Sequence, residues 1–317
     1  MWIYILRRLL YNVPVYLGIV LLLMACLRVN DPVYGYLGKN ATEEAYRARE
    51  EAMGLDKPFL VQYASFLGNL ATLDFDEESW AQQGRTVGAI LRDSIVPSLA
   101  ITLPALVITS VISIAIALLS AYYRGRMPDK LMMVGAVLGM SISYLVYIIF
   151  GQYWGAYILN ERIDGELFAV QGYEPGPSNW VRFCLLPVLI SVVVAMGYDT
   201  RFYRAVMVEE SGRDYITTAR AKGATKRKIM FVHMLKNAMI PVITHIMITL
   251  PFLVMGSLLL EVYFNIPGMG RALYDAITVN DFPVTQTLVA IFAGVFIASV
   301  ILTDVLYALV DPRVRLT

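Results

Sequence analysis

The chain has 317 residues, of which 58% are hydrophobic and only 16% charged, and its mean hydropathy is +0.61. A soluble domain is roughly half apolar and a quarter charged, so this excess of apolar residues indicates an integral membrane protein. The net charge of +1 indicates no bias toward nucleic acid, and two cysteines with two histidines are too few for a disulfide framework or a Cys/His metal site. No G-x-x-x-x-G-K motif occurs, so the chain is not expected to carry its own P-loop for ATP.

Six apolar runs predict membrane-spanning helices. The first has the basic start and apolar middle of a signal peptide, but no small-x-small cleavage site follows Cys26, which predicts a retained anchor. The fourth run is short, and we expect it to end at Tyr198 or to extend into Asp199-Thr200-Arg201. The predicted spans are, in chain order, Leu9–Cys26, Val96–Tyr122, Leu131–Tyr157, Phe183–Tyr198, Ala238–Val262 and Val284–Val310.

A polar insert, residues 31–94, separates the first two spans and is too long for a simple hairpin connection. Asn40 with Glu43 three residues later predicts a helix N-cap, and Gly54 predicts the end of that helix. A second helix is expected to begin at Lys57-Pro58.

Basic residues are distributed unevenly between the two sets of loops that alternate along the chain. Sixteen of the 26 lysines and arginines lie in the N-terminus, the turn at 124–130, the segment 199–237 and the C-terminal tail. The other set of loops holds ten basic and 17 acidic residues. Because basic loops stay on the cytoplasmic side, we expect both termini and the segment 199–237 in the cytoplasm.

The segment 201–241 is a basic, polar interruption between two apolar runs. Asp214 is expected to cap a short helix, and Gly223 to end it, because glycine adopts the left-handed conformation without a Cβ clash. Ile216, Ala219 and Gly223 fall on one narrow stripe of mostly small side chains. Such a helix suits docking into a groove of a soluble partner, whereas a solvated basic loop that only sets topology is the alternative.

The sequence D-Y-I-T-T-A-R-A-K-G-A-T at 214–225, followed by H-M-L-K-N-A-M-I-P-V-I-T at 233–244, resembles the cytoplasmic coupling loop of ABC-importer permeases. It is most similar to the B-type permeases of the dipeptide, oligopeptide and nickel group. The family's general loop has Glu-Ala-Ala and a later Gly where this chain has Thr217, Thr218, Ala219 and Gly223, so the acidic position is absent. The resemblance implies these contacts to the ATPase: Asp214, Tyr215, Ile216, Thr218, Ala219, Arg220, Ala221, Lys222, Gly223 and Ala224.

Three further motifs resemble the same family. Gly54-Leu55-Asp56-Lys57-Pro58 and Gln62-Tyr63 resemble its extracytoplasmic scoop, although Leu73-Asp74-Phe75-Asp76 replaces the family's Gly-Asp-x-Gly turn. A turn at the external mouth is implied for Glu261, Phe264, Pro267, Gly268 and Gly270. Packing at the inner surface is implied for Asp304, Tyr307, Asp311 and Arg313.

The resemblance implies an all-α polytopic membrane protein with the six-helix type I ABC importer permease fold. Its expected parts are an N-terminal helix (1–30), the scoop insert (31–94) and a five-helix core (95–317) with the coupling loop 199–237. Expected partners are a homologous second permease, two ATPase subunits that bind ATP and magnesium, an extracytoplasmic solute-binding protein and membrane lipid, with no nucleic acid. This chain would then be a transport subunit in the bacterial inner membrane, not an enzyme, with no cofactor or metal of its own.

Substrate and mechanism leave alternatives open. Alternating access with a peptide substrate is the favoured hypothesis, and nickel chelates or oligosaccharides are the alternatives within the same importer class. A secondary transporter would show internal repeats or intramembrane charge pairs, and a membrane enzyme would need a convergent catalytic set; neither pattern is evident.

His245 has no second metal ligand at suitable spacing on its helix, which predicts a hydrogen-bonded interior histidine. Glu209 and Glu210 are adjacent and would point about 100° apart on a helix, so they cannot share a site.

Overall fold

The computed structural model describes residues 2–29, 31–37 and 42–310, and within these the chain is helical apart from turns and one isolated bridge between Glu78 and Thr86. This confirms the all-α prediction. Two π-helical segments, Gly151–Ile158 and Ile229–Met234, continue into the α-helices on either side. The α-helices are α1 Trp2–Leu27, α2 Pro32–Leu37, α3 Glu43–Ala52, α4 Phe59–Thr72, α5 Val87–Tyr122, α6 Met127–Ser141, α7 Tyr144–Phe150, α8 Leu159–Ile163, α9 Pro177–Phe183, α10 Leu185–Glu210, α11 Asp214–Ala221, α12 Lys226–Lys228, α13 Leu235–Thr249, α14 Pro251–Met255, α15 Leu258–Tyr263, α16 Met269–Thr278 and α17 Phe282–Val310.

Five helical stretches in the described part of the chain are long and apolar enough to cross a membrane, and a sixth is present if α6 with the helix after it counts as one span. That sixth stretch bends by 88° at Ile142–Ser143, where both residues adopt extended backbone angles. The predicted third span, Leu131–Tyr157, is therefore not one straight helix. The hydroxyl of Tyr147 donates to the carbonyl of Gly139 at 2.9 Å, which satisfies a backbone group that the break leaves free.

Several helices differ in extent from the prediction. α10 continues to Glu210, twelve residues beyond Tyr198, so the first third of the segment 199–237 is helix and not loop. α5 begins at Val87 and passes through the expected boundary at 94/95, because Thr86 caps it by accepting from the amide of Ala89 at 3.2 Å. In the insert, the α3 cap is Thr42, which accepts from the amide of Ala45, whereas Asn40 lies outside the described residues.

The long helix α5 is the axis of the molecule. At about 1.5 Å per residue its 36 residues extend roughly 54 Å. α10 packs along it, and α6 lies so close to α10 that a Cβ on Gly197 would come within 2.9 Å of the carbonyl oxygen of Ala136. One end of α5 lies near α11, and the other lies near the insert, α16 and the start of α17. These are called the α11 end and the insert end below.

The insert packs against α1 and α17. The hydroxyl of Tyr63 on α4 donates to the carbonyl of Leu17 at 2.8 Å, and Phe66 is buried in a cluster with Val20, Met24 and Ala290. Asp281, immediately before α17, accepts hydrogen bonds from residues 79–81. These contacts attach the insert to the C-terminal half of α1 and to the N-terminal third of α17.

Candidate functional site

The short helix α11 lies at the α11 end and has well-formed ends. Arg213 occupies the N-cap position without a side-chain hydrogen bond, so Asp214 is the first helical residue and not the predicted cap. Its carboxylate still lies at the positive end of the helix dipole. At the other end Gly223 has φ +79, and the amide of Ala224 donates to the carbonyl of Ala219 at 3.1 Å, as expected for a glycine-terminated helix.

One face of α11 packs into the protein itself. Ile216 is only 2% exposed and contacts a buried cluster that contains Tyr203, Met207 and Met230. Ala219 and Ala224 pack partly against the same cluster, which we call the α11 cluster. The Ile216–Ala219 part of the predicted small-residue stripe therefore points inward. The small side chains of this stripe allow α11 to approach α10 and the next helix closely. The hydrophobic burial of the stripe is therefore achieved within this chain.

Tyr215 fixes the start of α11 to the end of α10. Its hydroxyl donates to the carboxylate of Glu210 at 2.5 Å. Burial, followed by this hydrogen bond, raises the pKa of Tyr215. A neutral tyrosine is therefore maintained as the donor, and the link between the two helices persists across the physiological range of pH.

The other face of α11 is open to solvent. Six of the ten residues predicted to contact an ATPase are exposed there, while Tyr215, Ile216, Ala219 and Ala224 are partly or fully covered by this chain. The exposed face carries one acidic and two basic side chains near its ends. Its members are Asp214, Thr218, Arg220, Ala221, Lys222 and Gly223.

The region that follows α11 is attached to the end of α5, which sequence reasoning missed. The Nζ atom of Lys226 donates to the carbonyl of Tyr122 at 2.7 Å and lies 4.0 Å from the centroid of that ring. Arg124 donates to the hydroxyl of Ser211 at 3.4 Å, just before α11. Both ends of α11 are thus connected to the turn after α5.

A buried ion pair lies beside this region and was also missed. Asp129, only 3% exposed, accepts from Arg204 Nε at 2.7 Å and Nη2 at 2.8 Å, which is a two-point carboxylate–guanidinium contact. Ser120 donates to the same carboxylate at 2.5 Å, and the amide of Gly125 donates at 2.8 Å. One carboxylate therefore joins α5, the 123–126 turn, α6 and α10. Because its partners are 75 residues apart, sequence spacing carried no sign of the pair.

Glu261 is the centre of the predicted turn at the insert end. Its side chain is fully buried. Oε1 accepts a hydrogen bond from the hydroxyl of Ser98 at 2.7 Å and another from the amide of Ser257 at 3.1 Å. Oε2 accepts a hydrogen bond from the amide of Arg271 at 3.0 Å. A Cβ on Gly256 or Gly268 would overlap the carboxyl group of Glu261. The glycines therefore leave room for a carboxylate that joins α5, α15 and α16.

The remaining members of this turn differ in their surroundings. Phe264 is 1% exposed in the core, Gly270 closely approaches the backbone of Leu258, and Pro267 is exposed. The structure thus brings Glu261, Gly268 and Gly270 together, whereas Phe264 packs in a hydrophobic cluster. The side chains of Asp304 and Tyr307, and residues Asp311 and Arg313 entirely, lie outside the described part of the chain.

His245 has an acidic partner on another helix. Its Nε2 lies 3.1 Å from Asp199 Oδ1, and Phe202 stacks on its ring with centroids 4.6 Å apart. Because the carboxylate belongs to α10 and the histidine to α13, no spacing along one helix could reveal the pair. Within the described residues no group of three His, Cys, Asp or Glu side chains could hold a metal ion.

Comparison with known sequences agrees with this architecture. The sequence model of the family "Binding-protein-dependent transport system inner membrane component" matches residues 113–316. The match contains α10, α11 and the turn around Glu261, and it ends before the last residue.

Individual relatives are similar over nearly the whole chain. A "probable peptide ABC transporter permease protein" of Sinorhizobium fredii is 30% identical over 99% of this chain and 100% of its own length. The "glutathione transport system permease protein" GsiC of Salmonella typhimurium is 31% identical over 98% of each chain. A "putative peptide permease protein" of Brucella ovis is 31% identical over 99% of each. The chain therefore belongs to the family of binding-protein-dependent transport system inner membrane components, the membrane-spanning permeases of ABC importers.

Proposed function

We propose that this chain moves peptides into the cell by alternating access, driven by separate ATPase subunits that dock on α11. The observation that carries the proposal is the division of α11 into an anchored face and an exposed face. Ile216 and Tyr215 attach the helix to this chain, while Thr218 and Lys222 remain available to a partner. A helix held in this way can receive force from one protein and transmit it to another.

The short connections around α11 support transmission to the membrane-spanning helices. Only residues 211–213 separate α10 from α11, and only residues 222–225 separate α11 from α12. A displacement of α11 therefore moves α10 and α13 together with it. Nucleotide binding in the ATPase would favour one of two arrangements through different contacts on α11, which is the requirement for shifting a conformational equilibrium.

The proposed orientation places α11 and both termini in the cytoplasm and the insert outside. It rests on the uneven distribution of basic residues, of which nine lie in the segment 199–237. A homologous second permease, two ATPase subunits and an external binding protein complete the proposed importer. Peptide is the proposed substrate because the relatives from Sinorhizobium fredii and Brucella ovis are named as peptide permeases.

The test is a substitution at Gly223, which lies at the end of the exposed face. A Cβ at this position would meet no atom within 4 Å, so a longer side chain is accommodated apart from the cost of the positive φ, about 1 kcal/mol. We expect Gly223→Glu to fold and insert normally but to lose uptake of peptide by about tenfold or more. ATP hydrolysis and uptake would be measured in proteoliposomes that contain the complete complex and its binding protein.

Gly223→Asn is the matched control, because asparagine tolerates the left-handed conformation and adds no charge. We expect this variant to retain most of the uptake. Normal uptake by Gly223→Glu would contradict the assignment of α11, and equal losses in both variants would indicate a backbone effect instead of a docking effect.

A further inference from the structure

A cavity of about 300 Å³ lies at the insert end, where three separate parts of the chain meet. The end of α1 forms one side, the insert forms the second, and the start of α17 forms the third. We call it the insert cavity. Its volume is at the lower limit of small-molecule pockets, roughly 300–1,000 Å³, which suits a ligand of a few residues at most.

One wall of the insert cavity carries unpaired positive charge. Arg28, at the end of α1, is partly buried, and burial lowers the pKa of its guanidinium. The guanidinium lies 5.2 Å from the ring centroid of Phe59, and no carboxylate lies within 4.0 Å of it in the part of the chain that the structure describes. Lys57, an exposed residue of the insert, also lines the cavity. A half-buried guanidinium without a carboxylate partner can form charge-assisted hydrogen bonds with an anionic ligand.

An unpaired carboxylate lines the same space. Burial and the nearby charge of Asp281 raise the pKa of Glu77. Among the described residues no donor reaches the carboxylate of Glu77, although Asp281 accepts from the amides of Trp80 and Ala81 at 3.2 and 3.3 Å. The side chain of Glu77 is exposed where it lines the cavity, so the cationic group of a ligand bound there can reach its carboxylate.

The rest of the lining is suited to a peptide-like ligand. Asn69 and Gln286 also line the cavity, and their side-chain amides can donate and accept hydrogen bonds. Trp80 and Phe282 lie with ring centroids 5.3 Å apart and provide an aromatic surface. A simple anion would leave Glu77 unpaired, and a simple cation would leave Arg28 unpaired. A ligand with both charges satisfies both groups.

We propose that the insert cavity binds a small zwitterion, a free amino acid or a dipeptide, with its carboxylate against Arg28 and its ammonium against Glu77. The ligand source rests on the proposed function, because a peptide importer meets short peptides at this face. The site itself rests on the two unpaired charges and does not depend on the coupling helix.

The test measures binding of alanyl-alanine to the complete complex in lipid nanodiscs by calorimetry, without ATP. N-acetyl-alanyl-alanine and alanyl-alanine amide serve as probes that each lack one charge. We expect Arg28→Gln and Glu77→Gln to weaken binding of alanyl-alanine by about tenfold or more, since each removes a charge-assisted hydrogen bond. Asp76→Asn is the control, because Asp76 is exposed nearby and does not line the cavity.

The blocked probes test which charge meets which residue. Acetylation removes the ammonium group of the probe. Glu77→Gln is therefore expected to cause no further loss of affinity for N-acetyl-alanyl-alanine, whereas Arg28→Gln is still expected to weaken its binding. The amide probe is expected to show the opposite pattern. Unchanged binding in both variants, or equal binding of all three probes, would overturn the proposal. Thermal unfolding of each variant checks that the complex is intact.

Uptake by the unmodified complex separates this inference from the proposed function. Binding that depends on Arg28 and Glu77 without uptake of any peptide would support the cavity and contradict peptide transport. Uptake of alanyl-alanine without binding at the insert cavity would support peptide transport and overturn the cavity proposal.

Discussion

Three buried carboxylates act as joints between distant parts of the chain. Asp281 connects the end of the insert to α17, Glu261 connects α5 to α15 and α16, and Asp129 connects α5 and α6 to α10. Burial of a carboxylate is costly unless donors compensate it, and each of these accepts several hydrogen bonds. The hydrogen bonds to each carboxylate therefore fix the relative positions of segments that apolar packing alone would not specify.

Gly268→Ala is expected to destabilise the joint around Glu261. The new Cβ would overlap the carboxyl carbon of Glu261 and lie 2.6 Å from the Ser98 oxygen, and neither group can move without breaking hydrogen bonds. Overpacking of this kind costs about 1–3 kcal/mol. Thermal unfolding of the purified protein in detergent measures the change in unfolding temperature.

The matched control is Gly135→Ala, which lies within α6 and whose Cβ would meet no atom within 4 Å. Here alanine is expected to stabilise by about 0.5–1 kcal/mol, because glycine loses more backbone entropy in a helix. An unfolding temperature for Gly268→Ala equal to that of the unmodified chain would show that the turn can relax around the new methyl group.

At the scale of elements, α10 is the helix to which the mobile parts of the proposed mechanism are attached. Arg204 joins it to α6, Asp199 joins it to α13, and Glu210 joins it to α11. All three contacts are polar and directional. Each therefore fixes the rotation of α10 about its own axis as well as its distance from the neighbouring helix. A movement of α11 is therefore transmitted along α10, whose orientation is fixed by polar contacts at several positions along its length.

Asp129→Asn is expected to lower the free energy of unfolding by about 3 kcal/mol or more, because it leaves the Arg204 guanidinium beside a buried site without its counter-charge. Glu209→Gln is the control; this side chain is 70% exposed in its pair with Arg213, and exposed pairs contribute about 0–1 kcal/mol. Chemical or thermal unfolding in detergent provides the comparison. The double variant Asp129→Asn with Arg204→Met should recover part of the loss, and no recovery would argue against a specific pair.

At the scale of the whole molecule, the two ends of α5 have different tasks. The α11 end presents an exposed helix to a proposed cytoplasmic partner, and the insert end contains the turn around Glu261 and the insert cavity. Many large apolar side chains between the ends are exposed, among them Leu22, Val111 and Leu138. In the membrane such surfaces face lipid or the proposed second permease, since contact with water would be unfavourable there.

The proposed orientation predicts which engineered cysteines an impermeant maleimide reaches in intact cells. In a background with Cys26→Ser and Cys184→Ser, Asp164→Cys should be labelled from outside, and Arg227→Cys only after the membrane is opened. Both positions are exposed and lie in opposite sets of loops. Labelling of Arg227→Cys in intact cells would reverse the assigned topology.

Features that depend on neighbouring residues were predicted from the sequence. Apolar run length identified five of the six predicted spans as single stretches within the described residues, because burial of about 20 apolar residues in lipid is a local requirement. Gly223 was identified as the end of α11, because the left-handed conformation is a property of one residue. The motif around Glu261, whose members lie within ten residues, was grouped by its resemblance to the permease family.

Tertiary structure alone decided which groups meet. The pairs Asp129–Arg204 and Asp199–His245 join helices that are far apart in sequence. The 88° bend after α6 and the inward direction of Ile216 also appear only in the packed structure. An apolar helix can bury any of its faces in lipid, so its sequence does not specify which face meets protein. A buried charge needs a partner, and which helix supplies that partner is settled only when the helices pack.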